Sequence, residues 1–138
     1  MAKKTVNGVS GKKNIMKVLI VDDDEALAAL IKEMIGQIGI YRVKTAVNGE
    51  EGYEVFLHFK PDIILTDIQM PAKNGLEMVK DMRNHDPGIK TIYMSGNMSR
   101  FRTRLEEEKT KYKASLLDKP FSCSELTGLF HKYQKERR

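Results

Sequence analysis

Residues 18–24 read Val-Leu-Ile-Val-Asp-Asp-Asp, four apolar residues followed directly by three acids. An unbroken apolar run ahead of a polar loop is typical of a strand that is buried on both faces of a parallel sheet. Apolar residues then recur at helical spacing from Leu27 to Ile38, Asp24 is placed to cap that helix, and Gly39 ends the pattern. The stretch therefore predicts a strand, a short acidic loop and an amphipathic helix, which together form the first part of a β–α–β unit.

The same alternation repeats along the rest of the chain. Further short strands are predicted at 41–47, 62–66, 90–94 and 114–117. Asn48, Asn74 and Ser122 are predicted to cap three helices, the one at Asn74 ends near Asn84, and a weaker helix covers 98–108. Five strands are too few for an eight-stranded barrel, so the predicted fold class is α/β, with an open, doubly wound five-stranded parallel sheet flanked by five helices.

Length and composition restrict the class of protein further. A chain of 138 residues has room for one domain with one core. Its lone cysteine, Cys123, permits no internal disulfide, so a secreted disulfide-held scaffold is excluded. No apolar run approaches the length of about 20 residues that a membrane span needs. We therefore expect a single cytoplasmic domain that makes no membrane contact.

The formal net charge of +5 is concentrated at the two ends of the chain. Residues 1–17 and 131–138 are strongly basic, whereas residues 18–130 carry a net charge of −3. No aromatic residue lies among the N-terminal lysines, which argues against a nucleic-acid arm and against direct DNA binding. We predict a flexible basic leader over 1–15 and one folded domain over 16–138. Such a leader favours the natural start of a stand-alone protein over a fragment of a larger one.

Polar side chains stand where the predicted strands end. Asp22 and Asp23 follow the first strand, Asp67 the third, Ser95 the fourth and Lys119 the fifth. In open α/β sheets, ligands bind outside the carboxyl ends of the strands. We therefore expect these side chains to form one site at one edge of the sheet.

The residue types at this edge predict a particular chemistry. Neighbouring carboxylates repel one another and need a compensating cation, for which Mg²⁺ or Mn²⁺ with oxygen ligands is suited. An aspartate is able to act as a nucleophile and form an aspartyl-phosphate. A lysine supplies a point charge for a phosphate, and a serine supplies a hydrogen bond. The pattern indicates phosphoryl transfer onto a carboxylate in the presence of Mg²⁺.

From residue 16 to about residue 135 the sequence resembles the receiver domains of two-component response regulators. The resemblance rests on residues 18–24, 62–71 with Asn74-Gly75, 94–96 and 119–121. It implies a flavodoxin-like sheet with strand order 2-1-3-4-5. It also implies a switch that takes a phosphoryl group from a sensor histidine kinase or a phosphotransfer protein and then regulates a downstream protein. Such a switch is not an enzyme beyond, at most, slow self-dephosphorylation.

The resemblance also implies a role for each residue of the predicted site. Asp67 matches the aspartate that is phosphorylated. The carboxylates of Asp22, Asp23 and Asp67 match ligands that hold Mg²⁺ in the family. The backbone carbonyl of Gln69 matches a further ligand of the ion. Ser95 and Lys119 match the residues that contact the phosphoryl group, and the Lys119–Pro120 peptide bond is expected to be cis.

Two stretches depart from the family pattern. Leu116 stands where receiver domains often have a Tyr or Phe that takes part in switching. Residues 104–113 are highly charged where the family usually has small residues. Together, residues 100–113 hold six basic and three acidic side chains, which predict either a solvated face or a docking patch for an acidic partner.

Two alternative functions share this type of fold. A haloacid-dehalogenase-like, Mg²⁺-dependent phosphatase would use Asp22 as its nucleophile, but it expects Thr or Val where Ala26 stands and gives Asp67 no role. A flavin-binding protein is disfavoured because three acids in the first loop would repel the phosphate of the cofactor. Identifying the phosphorylated residue distinguishes the phosphatase from the receiver domain.

Overall fold

A computed structural model describes residues 15–136 of the chain. Residues 1–14 and 137–138 lie outside this range, so the predicted leader over 1–15 falls outside the described residues except for Ile15. The elements alternate strictly between strand and helix. The strands are β1 Met16–Val21, β2 Tyr41–Ala46, β3 Ile63–Asp67, β4 Lys90–Ser95 and β5 Ala114–Asp118. The helices are α1 Glu25–Ile38, α2 Gly49–Phe59, α3 Gly75–Met82, α4 Arg102–Lys111 and α5 Cys123–Lys135.

The five strands form one parallel sheet in the order β2-β1-β3-β4-β5, which confirms the predicted fold class and strand order. The strands are in register at their carboxyl ends. Val21 of β1 pairs with both Ala46 and Thr66, and Ser95 of β4 pairs with Asp118. Every loop that leaves a strand therefore starts from the same edge of the sheet.

The core consists of two apolar layers, one on each face of the sheet. Leu19 and Val21 of β1 belong to the layer beneath α2, α3 and α4. The alternate residues, Val18 and Ile20, belong to the layer beneath α1 and α5. Because the strand is buried on both faces, its sequence is a continuous apolar run and not an alternating one.

Helix caps fix where the chain turns away from the strand ends. The Asp24 side chain accepts a hydrogen bond from the backbone N–H of Leu27 at 3.1 Å and begins α1. Reciprocal capping boxes begin α3 at Asn74 and α5 at Ser122. At α2, Asn48 caps the helix as predicted.

Two helix boundaries differ from the prediction. The segment predicted as one helix over 98–108 is a 3-10 turn, Met98–Phe101, followed by α4, which continues to Lys111. Helix α3 ends at Met82 and not near Asn84. Since the last turn of a helix often frays or tightens, periodicity alone does not fix its end. Among residues 15–136 no helix is both long enough and apolar enough to cross a membrane.

Candidate functional site

Three aspartates meet where β1 and β3 end. Asp22 and Asp23 follow β1 directly, and Asp67 is the last residue of β3. One carboxylate oxygen from each residue lies within 4.8 Å of the corresponding oxygens of the other two. Asp22 is fully buried, the side chain of Asp67 is 13% exposed and Asp23 is exposed, so the cluster opens to solvent on one side. The predicted convergence of these acids is therefore present in the structure.

Lys119 places a positive charge between two of these acids. Its Nζ lies 3.2 Å from Asp22 Oδ2 and 3.3 Å from Asp67 Oδ2. The backbone holds the lysine in place, because its N–H donates to the carbonyl of Ser95 at 2.9 Å. The peptide bond from Lys119 to Pro120 is cis. The lysine therefore links the ends of β1, β3 and β4.

The charges at this site shift the titration of their neighbours. Burial raises the pKa of the Asp67 carboxyl, Asp22 and Asp23 raise it further, and Lys119 opposes them without cancelling the rise. Burial alone acts to lower the pKa of Lys119, but the carboxylates of Asp22 and Asp67 more than compensate and raise it. The lysine therefore stays protonated, and the acid cluster keeps an excess of negative charge.

This donor set fits a divalent metal ion. Three carboxylates carry three negative charges, and Lys119 compensates one of them. Carboxylate oxygens are the ligands that Mg²⁺ prefers, and Mg²⁺ usually takes one or two of them together with water and a phosphate oxygen. Asp22, Asp23 and Asp67 are the side chains able to hold the ion. The backbone carbonyl of Gln69 belongs to the loop that follows Asp67, two residues further along the chain.

Two further features shape the edge of the site. Ser95 is buried, and its hydroxyl oxygen accepts a hydrogen bond from the backbone N–H of Asn97 at 2.9 Å. Gly75 lies against the carbonyl of Asp67, where a Cβ atom would overlap the carbonyl oxygen. The N–H of Gly75 also donates to the carbonyl of Ile68 at 2.8 Å. Only glycine allows the start of α3 to approach the end of β3 so closely.

Comparison with known proteins places this site in a family. The sequence profile of the response regulator receiver domain matches residues 18–131, which begin within β1 and end within α5. The chain belongs to this receiver domain family. It is thus a receiver domain of two-component signalling, a class of phosphoacceptor switches, and nothing in the comparisons favours the phosphatase alternative.

Two similar proteins and one solved structure match this chain over nearly their whole length. Chemotaxis protein CheY of Thermotoga maritima is 34% identical over 119 residues, covering 86% of this chain and 98% of the relative. Sporulation initiation phosphotransferase F of Bacillus subtilis is 29% identical, covering 85% and 92%. A solved structure of response regulator TrrA from Thermotoga maritima, in complex with Mg²⁺–BeF, is similar with a TM-score of 0.74 at 29% identity, covering 86% of this chain and 99% of TrrA.

The receiver domain carries one polar cluster that sequence reasoning missed. Leu116 is partly buried in β5 and pairs in register with Tyr93 of β4. The Tyr93 hydroxyl donates to Glu108 of α4 at 2.6 Å, and Glu108 also accepts two hydrogen bonds from Arg83. Glu108, one of the three acids counted among the charged side chains of residues 100–113, is therefore held within the domain, with a side chain that is only 15% exposed.

Proposed function

We propose that this receiver domain accepts a phosphoryl group on Asp67 from a phosphohistidine of a sensor kinase or phosphotransfer protein. Mg²⁺ or Mn²⁺ would be held by the carboxylates of Asp22, Asp23 and Asp67 and by the backbone carbonyl of Gln69. The observation that carries the proposal is the approach of three carboxylates within 4.8 Å, with the Lys119 ammonium beside two of them.

The environments of the acids favour Asp67 over Asp22 as the acceptor. Asp22 is fully buried, its Oδ1 accepts from the N–H of Asp24 at 2.9 Å, and its Oδ2 contacts Lys119. The Asp67 side chain is 13% exposed, and within residues 15–136 only its Oδ2 is engaged, by Lys119. A nucleophilic oxygen must reach a phosphorus atom carried by another molecule, and Asp67 meets that condition better than Asp22.

The transfer step exchanges one bond to phosphorus for another. A carboxylate oxygen of Asp67 forms a bond to phosphorus while the phosphorus–nitrogen bond of the phosphohistidine breaks. The electron pair of the broken bond stays on the imidazole nitrogen, which leaves as neutral imidazole when its other nitrogen carries a proton. With acetyl phosphate as donor, the phosphorus–oxygen bond breaks and acetate leaves. Phosphoryl transfer of this kind depends chiefly on positioning and on compensation of charge.

Each remaining residue has a separate task in this proposal. The metal ion, when bound, offsets the negative charge that the phosphoryl oxygens bring to an already acidic site. Lys119, held at the edge by its backbone N–H, pairs with one phosphoryl oxygen. The hydroxyl of Ser95 donates a hydrogen bond to another once it turns away from the N–H of Asn97.

The biological role inferred from this chemistry is a switch and not an enzyme. The aspartyl-phosphate changes the conformation that a downstream protein reads, and water removes the phosphate slowly at most. We infer cytoplasmic action without direct DNA binding. The similarity to a chemotaxis protein and to a sporulation phosphotransferase supports a role in a phosphorelay.

The proposal is tested by the intact mass of the protein after incubation with acetyl phosphate and Mg²⁺. We expect the addition of one phosphate, which is lost in Asp67→Asn and in excess chelator. Asp62→Asn, an exposed aspartate before β3, is the matched control and retains the modification. Full modification of the Asp67→Asn variant would contradict the assignment.

A further inference from the structure

Helix α4 has little apolar contact with the rest of the domain. Of its ten residues, all of them described, only Leu105 is buried. The 3-10 turn before it contributes Met98 and Phe101, which are partly buried, and contains no buried residue. Phe101 is the N-cap residue of α4, and within residues 15–136 no side-chain capping hydrogen bond is formed there. A helix with one apolar anchor is able to roll or slide unless polar contacts hold it.

A largely buried triad, consisting of Tyr93, Glu108 and Arg83, supplies those contacts. Glu108 Oε1 accepts from the Tyr93 hydroxyl at 2.6 Å and from Arg83 Nη2 at 2.6 Å, and its Oε2 accepts from Arg83 Nη1 at 3.0 Å. Tyr93 is fully buried, and the Arg83 side chain is 9% exposed. The guanidinium also lies 3.6 Å from the ring centroid of Tyr112. Charge-assisted bonds of this geometry fix direction as well as distance.

The Tyr93 phenol keeps its proton near neutral pH. Burial raises the pKa of Tyr93 above its ordinary value, and the neighbouring Glu108 carboxylate raises it further. The phenol therefore remains a hydrogen-bond donor to the carboxylate. The contact between β4 and α4 is then a persistent hydrogen bond between a neutral donor and a charged acceptor.

The triad connects α4 to the strand that ends at the proposed phosphorylation site. Tyr93 and Ser95 are two residues apart in β4, so their side chains lie on the same face of the sheet. On β5 the register partner of Tyr93 is the apolar Leu116, and on β3 it is Thr66, whose hydroxyl donates to the carbonyl of Asp67 and not to α4. Among the described residues, the hydroxyl that joins this face of the sheet to α4 therefore belongs to β4.

We infer that Tyr93, Glu108 and Arg83 are positioning residues that couple the carboxyl end of β4 to the position of helix α4. Movement of Ser95 toward a phosphoryl group shifts β4, and the Tyr93 hydroxyl transmits that shift to Glu108. The coupling rests on the proposed function, since it needs Ser95 to respond to the acceptor site. It assigns to β4 the role that a switching aromatic of β5 would otherwise have at the position of Leu116.

The first test concerns the unmodified protein and does not depend on phosphorylation. Tyr93→Phe removes one hydroxyl, and Glu108→Gln removes one charge while keeping the size of the side chain. We expect amide hydrogen exchange over 102–111 to become roughly tenfold faster or more in each variant, because a hydrogen bond to a charged group is lost. The controls are Tyr112→Phe, whose ring still stacks on Arg83, and Glu106→Gln on the same helix, and both leave the exchange rates unchanged.

The second test measures the coupling with beryllofluoride and Mg²⁺, which mimic the phosphoryl group. In the parent protein we expect these reagents to shift the NMR signals of Asp67 and Lys119 and to change hydrogen exchange over 102–111. In Tyr93→Phe the shifts at Asp67 and Lys119 remain, but the change over 102–111 is lost. Structural weakening alone would alter the starting exchange rate without removing the response.

The outcomes separate the two proposals. An unchanged response of 102–111 in Tyr93→Phe and Glu108→Gln, with the binding shifts intact, overturns the coupling alone. An equal loss of response in Tyr112→Phe also overturns it, because the triad would then have no special part. If the parent shows no shift at Asp67, the proposed function fails and the coupling fails with it.

Discussion

Replacing Lys119 with Met removes the one positive charge that contacts the acid cluster among the described residues. The methionine side chain has a similar length and keeps the packing, so the change is mainly electrostatic. In the metal-free protein, Asp22 and Asp67 then lose the ammonium that lies 3.2 and 3.3 Å from their oxygens. We expect Lys119→Met to destabilise the protein without metal and to be rescued in large part by Mg²⁺.

The magnitude follows from these two distances. At an effective dielectric constant of about 20, each contact corresponds to an attraction of about 5 kcal/mol. The net loss is smaller, since the variant no longer desolvates an ammonium and water reaches Asp67 through the open side of the site. Removing one partner of a buried ion pair generally costs about 3–5 kcal/mol, and partial exposure puts this site at about 3 kcal/mol. A bound divalent ion takes over the compensation and reduces the cost by at least about half.

The assay is urea unfolding followed by far-UV circular dichroism, with excess chelator or with saturating Mg²⁺. The matched control is Lys73→Met, since Lys73 pairs with Asp81 at the surface with side-chain exposures of 43% and 42%. That change should cost less than about 1 kcal/mol, with no dependence on Mg²⁺. Equal losses for Lys119→Met with and without Mg²⁺ would refute the account of the site as a charge cluster completed by a cation.

Three further predictions concern the acceptor site. Ser95→Ala should still accept phosphate, but its NMR shift changes on phosphorylation should be incomplete; changes equal to those of the parent would contradict a switching role. Gly75→Ala should lower the free energy of unfolding by about 1–3 kcal/mol and slow phosphorylation, because its Cβ would overlap the carbonyl of Asp67. The control is Gly36→Ala in α1, where nothing lies within 4 Å of the added Cβ, and it should raise the free energy of unfolding by about 0.5–1 kcal/mol. A similar loss of stability in both variants would argue against a specific overlap at Gly75. Mg²⁺ at about 100 times its Kd should stabilise the parent protein by about 2.7 kcal/mol in thermal unfolding. The same Mg²⁺ concentration should stabilise Asp23→Asn less, and an equal stabilisation would show that Asp23 is not a ligand.

Much of the site could be predicted from the sequence because its residues stand where apolar runs end. Asp22 and Asp67 each follow a strand that is buried on both faces, and parallel strands bring such positions to one edge. The strand order and the roles of Gln69 and Pro120 came from the resemblance to receiver domains. The contact of Lys119 with both acids could not be predicted, because it depends on side-chain conformations at the edge.

The triad could not be predicted for a different physical reason. Tyr93 lies within an apolar strand and is indistinguishable by pattern from an ordinary core residue. Arg83 and Glu108 are 25 positions apart in charged stretches, and their pairing depends on how α4 packs. Helix α4 has no apolar stripe that would indicate which of its three consecutive glutamates faces inward. Periodicity detects apolar contacts between a helix and a sheet, and this helix is held largely by polar ones.

The most direct test of the central claim is the identity of the residue that carries the phosphate. After incubation with acetyl phosphate and Mg²⁺, borohydride reduction converts an aspartyl-phosphate to homoserine, which peptide mass spectrometry locates in the sequence. We predict homoserine at position 67 and none at position 22. Homoserine at position 22, with position 67 unmodified, would contradict the assignment of Asp67 and would favour a phosphatase-like use of the same acid cluster.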